Sequence, residues 1–381
     1  MKEEKALTVI KPCSTIGILG GGQLGRMISI AGKNMGYRFI TLDPTPNSPC
    51  GQVADLQITA PYTELKAVKE LADSSDVITY EFENVDSTIT SILETTSFVP
   101  QGSELLKITQ NRILEKSTLK SFDVKVAPFF VIGSENDFET AIDRMGFPYI
   151  MKTATGGYDG KGQWVIKSRE DIPIAIEAWK NAGMDMIIEQ FIPFCKELSV
   201  IVARNIQGQT KTFPAAENIH INNILHQSLV PARISDEQRI QAETEALKIA
   251  DSLQVVGLIA IEMFLTNDGE IIVNELAPRP HNSGHYSMDA CITSQFEQHI
   301  RAICGLPLGD TTLLSPIIMV NILGQHVNKV LDKIEQLPPT AKLHLYGKKE
   351  SDENRKMGHI NFLGSNLEQI DKQIKDLGIW S

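Results

Sequence analysis

Gly156-Gly157-Tyr158-Asp159-Gly160-Lys161-Gly162-Gln163 is the stretch on which the fold turns. It follows an apolar run, Phe147 to Met151, read as a strand ending at Lys152. Gln163 to Lys167 reads as the returning strand. A plain hairpin needs one or two glycines, whereas four fall within Gly156 to Gly162. Glycine lets backbone amides approach phosphate oxygens closely, and Lys152 and Lys161 add cations. The pattern predicts a phosphate-covering loop. It is not a Walker A loop, because Gly-Lys-Ser/Thr is absent.

Downstream of the loop, Asp171 to Ala182 has helical spacing and Met186 to Glu189 reads as a strand, giving a second α/β unit. A third unit begins near Phe191, with a helix over Asp236–Leu253 and a hairpin from Val256 to Glu275. Asn267-Asp268-Gly269 marks the hairpin turn. Glu262 interrupts the apolar strand Leu258 to Leu265, and Glu275 lies on the return strand Glu270 to Leu276. With a two-residue turn at Asp268-Gly269, Asn267 opposes Glu270 and Glu262 opposes Glu275. Facing Cβ atoms lie about 4.5–5.5 Å apart. Two carboxylates that close repel unless one is protonated or a cation lies between them. Mg²⁺ shared with nucleotide phosphates suits such oxygen donors, and Asn274 is a neighbouring one. A solvated sheet face carrying two glutamates is the open alternative.

Upstream, Thr15 to Leu19 reads as a buried strand, Gln23 to Met35 as a helix stopped by Gly36, Phe39 to Leu42 as a second strand and Val77 to Tyr80 as a third, followed by Glu81-Phe82-Glu83. Strands alternating with helices predict a parallel sheet. Gly20-x-Gly22-x-x-Gly25 with Asp43 downstream fits a dinucleotide fingerprint, and so a nicotinamide-dependent oxidoreductase. The same turn would also pack a helix on a strand, or bind another phosphate at a helix N-terminus. The fold class is α/β, with α+β character in the nucleotide-binding part. Expected domains are 14–105, 106–190 beginning with a connecting helix over 106–120, and 191–381 ending in a strand-rich piece from Pro316.

The 381 residues are 42% hydrophobic, enough for a large core split into two or three domains. A formal net charge of -11 disfavours a nucleic-acid partner. Cys13, Cys50, Cys195, Cys291 and Cys304 show no C-x-x-C pairing, which points to a reducing compartment. No run approaches a membrane span, and residues 1–13 with Glu3 and Glu4 do not fit a signal peptide. A cytoplasmic, soluble protein is expected.

The string GGYDGKGQ, Glu262 with Asn274-Glu275, and the run NELAPRPHNSGHYS resemble the ATP-grasp ligases of purine biosynthesis. GILGGGQLGRM, TYEFENV and RKMGH are similar to the N5-carboxyaminoimidazole ribonucleotide synthetase family within them, and the likeness runs from about Thr15 to Gly358. It implies an ATP-grasp architecture: an N-terminal Rossmann-like domain, a small lid and a larger C-terminal domain. It implies ATP and Mg²⁺ as cofactors and phosphorylation of bicarbonate to carboxyphosphate. Collapse to CO₂ in a closed site follows, then carboxylation of the 5-amino group of 5-aminoimidazole ribonucleotide. A homodimer, with no nucleic-acid or membrane partner, is implied too. Formate-dependent glycinamide ribonucleotide transformylase is the nearest alternative.

The same resemblance assigns roles. Arg112 and Lys152 would contact nucleotide phosphates, and Gly157, Tyr158, Asp159, Gly160, Lys161, Gly162 and Gln163 would cover them. Glu189, Gln190, Phe191 and Ile192 would line the adenine slot, Glu197 would hold the ribose, and His220, Asn274 and Glu275 would lie at the nucleotide. Glu262 and Glu275 would bind Mg²⁺. Gly22, Gln23, Leu24 and Glu81 would meet the ribonucleotide, with Tyr158 and Asp159 reaching it from the loop. Arg279, His281, Asn282 and Ser283 would line the bicarbonate and amine region. Lys348 and Arg355 would grip the substrate phosphate. Arg279, His281, Asn282 and Lys348 are the catalytic candidates. After Lys152 the chain reads Thr153-Ala154-Thr155, where relatives often carry an arginine.

Overall fold

In the computed structural model, residues 9–157 and 162–380 are described. Strand Thr15–Leu19 pairs in parallel with Arg38–Leu42 on one side and Val77–Tyr80 on the other. Leu56–Ile58 completes this four-stranded parallel sheet beyond Arg38–Leu42. Its three longer strands are buried almost throughout, as expected of a sheet covered on both faces, and the edge strand Leu56–Ile58 is more open. Helix Gln23–Asn34 covers one face, and Gly36, at φ +88°, ends that segment in the left-handed region that favours glycine. Met27 and Ile28 of that helix share a core with Phe296 and Ile300 of helix Gln295–Ile303, so the first sheet is packed onto the C-terminal part.

The helix expected over 106–120 is two helices, Ser103–Thr109 and Arg112–Ser121. The Asn111 side chain accepts from the N–H groups of Ile113 and Leu114 at 2.9 and 3.2 Å, and this N-cap starts a new helix. Leu105, Leu119 and Val124 are buried in the core beneath the large sheet.

The next unit, read as a second α/β unit with a returning strand, has the α+β character expected of the nucleotide-binding part. Its four strands run Phe129–Ile132, Met186–Gln190, Tyr149–Thr153, Gln163–Ile166, and every pairing is antiparallel. The chain from Thr153 to Gln163 is too short for a parallel crossover, so the strand returns as a hairpin closed by the Thr153 N–H on the Gly162 carbonyl at 2.9 Å.

The remaining strands form one nine-stranded sheet. Its spine is Gly257–Thr266 against Phe194–Arg204, flanked by the hairpin partner Ile271–Ala277. The hairpin turn has three residues, not two. The Thr266 N–H bonds the Glu270 carbonyl at 3.0 Å, and Gly269 takes φ +82°. That shift alone would misalign the glutamates. A bulge between Glu262 and Met263 adds one residue on the return strand and restores the pair, so Glu262 does oppose Glu275. The terminal piece extends this sheet through Ile317–Leu323, Ala341–Leu345 and Lys356–Leu363, and also carries helices Val327–Asp332 and Leu367–Leu377. Among the described residues no helix is long and apolar enough to cross a membrane.

Candidate functional site

The paired hairpin strands open onto a cleft of about 450 Å³ between the four-stranded antiparallel sheet and the large sheet. Arg112, Lys152, Gly157, Gly162 and Gln163 line one end, and Glu197 and His220 another. Glu262, Asn274, Glu275, Arg279, His281 and Asn282 line its floor. Ile150, Val165, Phe191, Phe194, Leu225 and Phe264 supply apolar surface suited to a flat base. A second chamber of about 190 Å³ adjoins it, lined by Gln23, Leu24, Glu81 and Phe82. Glu83, Arg279, His281, Asn282 and Lys356 line both spaces. Tyr158, Asp159, Gly160 and Lys161 lie outside the described residues.

Charge on the floor is arranged in pairs. Glu262 accepts from His281 Nε2 at 3.0 Å, and Glu275 meets Arg112 at 3.0 Å. The repulsion expected between the two glutamates is thus relieved by protein cations and donors as well. Burial alone would raise the Glu262 pKa; the bond from His281 and the nearby charges outweigh this and lower it. Oxygen donors from Glu262, Glu275 and Asn274, presented side by side on the cleft floor, fit a hard divalent cation whose remaining ligands are water and phosphate.

Below them, helix Arg112–Ser121 braces the hairpin. Lys116, wholly buried, donates to the Asn274 carbonyl at 3.2 Å, and Glu115 accepts from the Leu276 N–H at 3.1 Å. Glu189 lies against Lys152 at 3.0 Å and Lys116 at 3.4 Å. Burial would raise its pKa, but the two lysines overcome this and lower it. Glu189 is therefore a buried counter-ion for Lys152, and of the four residues expected in the adenine slot it is Phe191 that lines the cleft. Glu197 stands 2.7 Å from His220 Nδ1. Burial would lower the His220 pKa, yet the Glu197 carboxylate raises it.

The first glycine cluster is closed to a dinucleotide. Asp43 accepts from the Gly21 N–H at 2.8 Å, and Glu81 accepts from Gly22 and, at 2.6 Å, from Gly25. The amides that would cradle a pyrophosphate are held by the protein's own carboxylates, which overturns the nicotinamide reading. A Cβ on Gly22 would stand 2.5 Å from Glu81 Oε1, so this close approach requires glycine. Burial pushes the Glu81 carboxyl up to about 7 against the pull of these amides.

Lys348 and Arg355 are not among the described lining residues. The Lys348 ammonium donates to the Lys356 carbonyl at 2.7 Å, and burial lowers its pKa to about 8. Arg355 is exposed and faces Asp352 at 3.8 Å and Glu350 at 4.0 Å. Ser283 is buried behind His281, and Asn282 exchanges amide bonds with Asn321 at 3.0 and 2.6 Å.

Sequence reasoning passed over Glu83, Lys116, Phe264 and Lys356. Glu83 and Lys356 stand beside assigned residues in TYEFENV and RKMGH, and Lys116 follows Arg112 by one helical turn on the same face. Glu83 accepts from Nε and Nη2 along one edge of the Arg279 guanidinium, with its Oε1 2.7 Å from Nη2, while Nη1 donates to the Pro280 carbonyl at 3.2 Å. Burial would raise its pKa, but Arg279 lowers it from 4.5 to about 2. A carboxyl depressed on folding stabilises above its unfolded value and loses that contribution as pH falls toward the folded one. Glu83→Gln is expected to cost roughly 2–3 kcal/mol at pH 7. The gap between variant and parent should close between pH 4.5 and 2. Denaturant titrations across that range check this; a gap independent of pH would contradict it.

Two carboxylates facing a cleft between an antiparallel lid and a large sheet, with cations at its phosphate end, define an ATP-grasp ligase. The family model described as the ATP-grasp domain matches residues 117–296, the ribonucleotide synthetase preATP-grasp domain residues 13–110, and the phosphoribosylaminoimidazole carboxylase C-terminal domain residues 318–373. N5-carboxyaminoimidazole ribonucleotide synthase of Bacillus subtilis (strain 168) is 52% identical over 355 residues, 93% of each chain. That of Staphylococcus haemolyticus is 42% identical over 359 residues, 94% of this chain and 95% of its own. A solved N5-carboxyaminoimidazole ribonucleotide synthetase in complex with ADP matches with a TM-score of 0.95 at 53% identity, covering 98% of each chain. The Aspergillus clavatus enzyme with ADP and 5-aminoimidazole ribonucleotide matches at 0.89 and 30% identity, over 96% of this chain and 97% of that one. The chain belongs to the N5-carboxyaminoimidazole ribonucleotide synthase family.

Proposed function

We propose that this chain carboxylates 5-aminoimidazole ribonucleotide with ATP and bicarbonate, giving N5-carboxyaminoimidazole ribonucleotide, ADP and phosphate. The observation that carries the reading is the shared wall: Arg279, His281 and Asn282 line both the nucleotide cleft and the chamber beside Gln23, Leu24 and Glu81. An intermediate made at the nucleotide's phosphate end would pass to the second substrate without entering bulk water.

Each step uses this wall. A bicarbonate oxygen attacks the γ-phosphorus, and the bond to the β–γ bridging oxygen breaks with its electrons leaving on ADP. Lys152 and Arg112 hold the nucleotide phosphates, with Gly157, Gly162 and Gln163 beside them. Glu262, Glu275 and Asn274 would hold Mg²⁺, which neutralises charge on the phosphoryl group. Carboxyphosphate then cleaves at its C–O bond, the electron pair staying on phosphate and CO₂ departing. The substrate amine attacks CO₂, its nitrogen lone pair forming the N–C bond as one C=O pair moves onto oxygen, and its proton passes to the phosphate just released, giving the carbamate. Arg279 and Lys356 are cations that line both chambers. Lys348 and Arg355 take the substrate phosphate by turning from their present partners, and Tyr158 and Asp159 reach the substrate from the loop. The protein acts in the cytoplasm as a homodimer.

Phosphate release from ATP with each acceptor tests the assignment. Full rate is expected to need both bicarbonate and 5-aminoimidazole ribonucleotide. An equal rate with glycinamide ribonucleotide and formate would overturn it.

A further inference from the structure

We propose that Ser199, Asn218 and Ser228, acting through Ser283, are positioning residues that hold the His281 imidazole as an Nε2–H donor to Glu262. The proposal rests on the assignment of His281 to the site given above.

Four polar side chains sit in the sheet floor and the short helix above it with almost no exposure: Ser199 at 2%, Asn218 at 7%, Ser228 at 0% and Ser283 at 1%. Burying such groups costs free energy unless each is paired. Register explains how they meet. Ser199 lies opposite Glu262, and Ser228 lies opposite Asn218. The row leads from the middle of the sheet to the carboxylate on the cleft floor.

The direction of the bonds can be read from groups with one possible role. The amide nitrogen of Asn218 only donates, and it donates to Ser199 Oγ at 2.9 Å. The amide oxygen of Asn218 only accepts, and takes the Ser228 hydroxyl at 2.8 Å. Ser199, having accepted, donates to Ser283 Oγ at 2.7 Å. Ser283 Oγ has then one proton to give, and His281 Nδ1 lies 2.8 Å away. The main-chain N–H of Ser283 points to the same Nδ1 at 3.4 Å, and an N–H cannot accept. Two donors converge on Nδ1, so it carries no proton. The ring proton is therefore on Nε2, which stands 3.0 Å from Glu262 Oε1. Gln295 fixes the same residue through its backbone, accepting from the His281 N–H at 2.9 Å and donating to its carbonyl at 2.8 Å.

A chemical consequence follows for the reaction. Nε2 is already protonated and Nδ1 is occupied by two donors, so His281 has no free lone pair for the proton of the substrate amine. It orients the Glu262 carboxylate, and deprotonation falls to another group. Outer-shell partners of this kind typically carry 10–100-fold of activity.

The test uses the whole protein with ¹⁵N-labelled histidine and long-range proton–nitrogen correlation, the His281 signals being those lost in His281→Gln. The native protein is expected to show the Nε2–H pattern. Ser199→Ala should admit a fraction of the Nδ1–H form and lower kcat about tenfold. KM for ATP should stay within about twofold. Ser228→Ala, at the far end of the row, should move both readouts the same way by less. An Nδ1–H or doubly protonated ring in the native protein overturns the proposal, whatever the variants do. So does Ser199→Ala with native turnover and tautomer. If His281→Gln turns over normally, the assignment of His281 to the site fails instead, and that result is separable from the spectrum.

Discussion

Glu275→Gln is expected to lower phosphate release from ATP by at least about a hundredfold while leaving the melting temperature within a few degrees. The substitution preserves shape, and the amide oxygen still accepts from Arg112, which lies 3.0 Å away. The backbone on either side of Glu275 stays tied down by Lys116 on the Asn274 carbonyl and Glu115 on the Leu276 N–H. What is lost is one of two facing negative charges on the cleft floor. A divalent cation shared with phosphates is held by few carboxylates, so each one counts heavily. Steady-state phosphate release with saturating ATP, Mg²⁺, bicarbonate and 5-aminoimidazole ribonucleotide measures the effect. Turnover within twofold of the parent would remove Glu275 from the metal site.

Arg279→Ala is expected to damage both stability and turnover, and a second substitution separates the two. The arginine side chain is 16% exposed and paired through Nε and Nη2 with Glu83, itself 29% exposed. Removing the arginine strands a carboxylate with little water, which costs about 3 kcal/mol. Glu83→Gln in the same chain removes the stranded charge, so the double variant should recover most of that stability. Turnover should remain at least about a hundredfold down in both, because the guanidinium that lines both chambers is still missing. Denaturant midpoints and kcat measured together decide the matter. Recovery of turnover along with stability would reduce Arg279 to a structural partner of Glu83.

The parts legible from sequence were those with a strong local signal. The parallel N-terminal strands appear where the apolar runs put them, and Val77–Tyr80 matches residue for residue. The pairing of Glu262 with Glu275 was reached through a two-residue turn that does not exist; a longer turn and a bulge cancel. Bulges leave little trace in a pattern with period two, so agreement here came from two offsetting errors. The break at Asn111 was readable as an N-cap in hindsight, since asparagine is a strong capping residue. The antiparallel lid followed from loop length rather than from the apolar pattern.

The site was legible only as far as residue type announces chemistry. Glycine loops and paired acids stand out in a sequence. Which lysine is buried does not: Lys116 looks like any helical lysine until Glu189 and the Asn274 carbonyl close around it. Glu81 shows the converse. Its carboxylate fills the amide cradle that the glycine spacing advertised for a phosphate, which no spacing rule can foresee.

Oxygen transfer from bicarbonate tests the central claim most directly. With ¹⁸O-bicarbonate, attack on the γ-phosphorus followed by C–O cleavage leaves one labelled oxygen on each phosphate released. Mass spectrometry of that phosphate under single-turnover conditions, before CO₂ exchange with water dilutes the label, is expected to show one ¹⁸O per turnover in the presence of 5-aminoimidazole ribonucleotide. Phosphate carrying no label, with the carboxylated product still formed, would contradict the account.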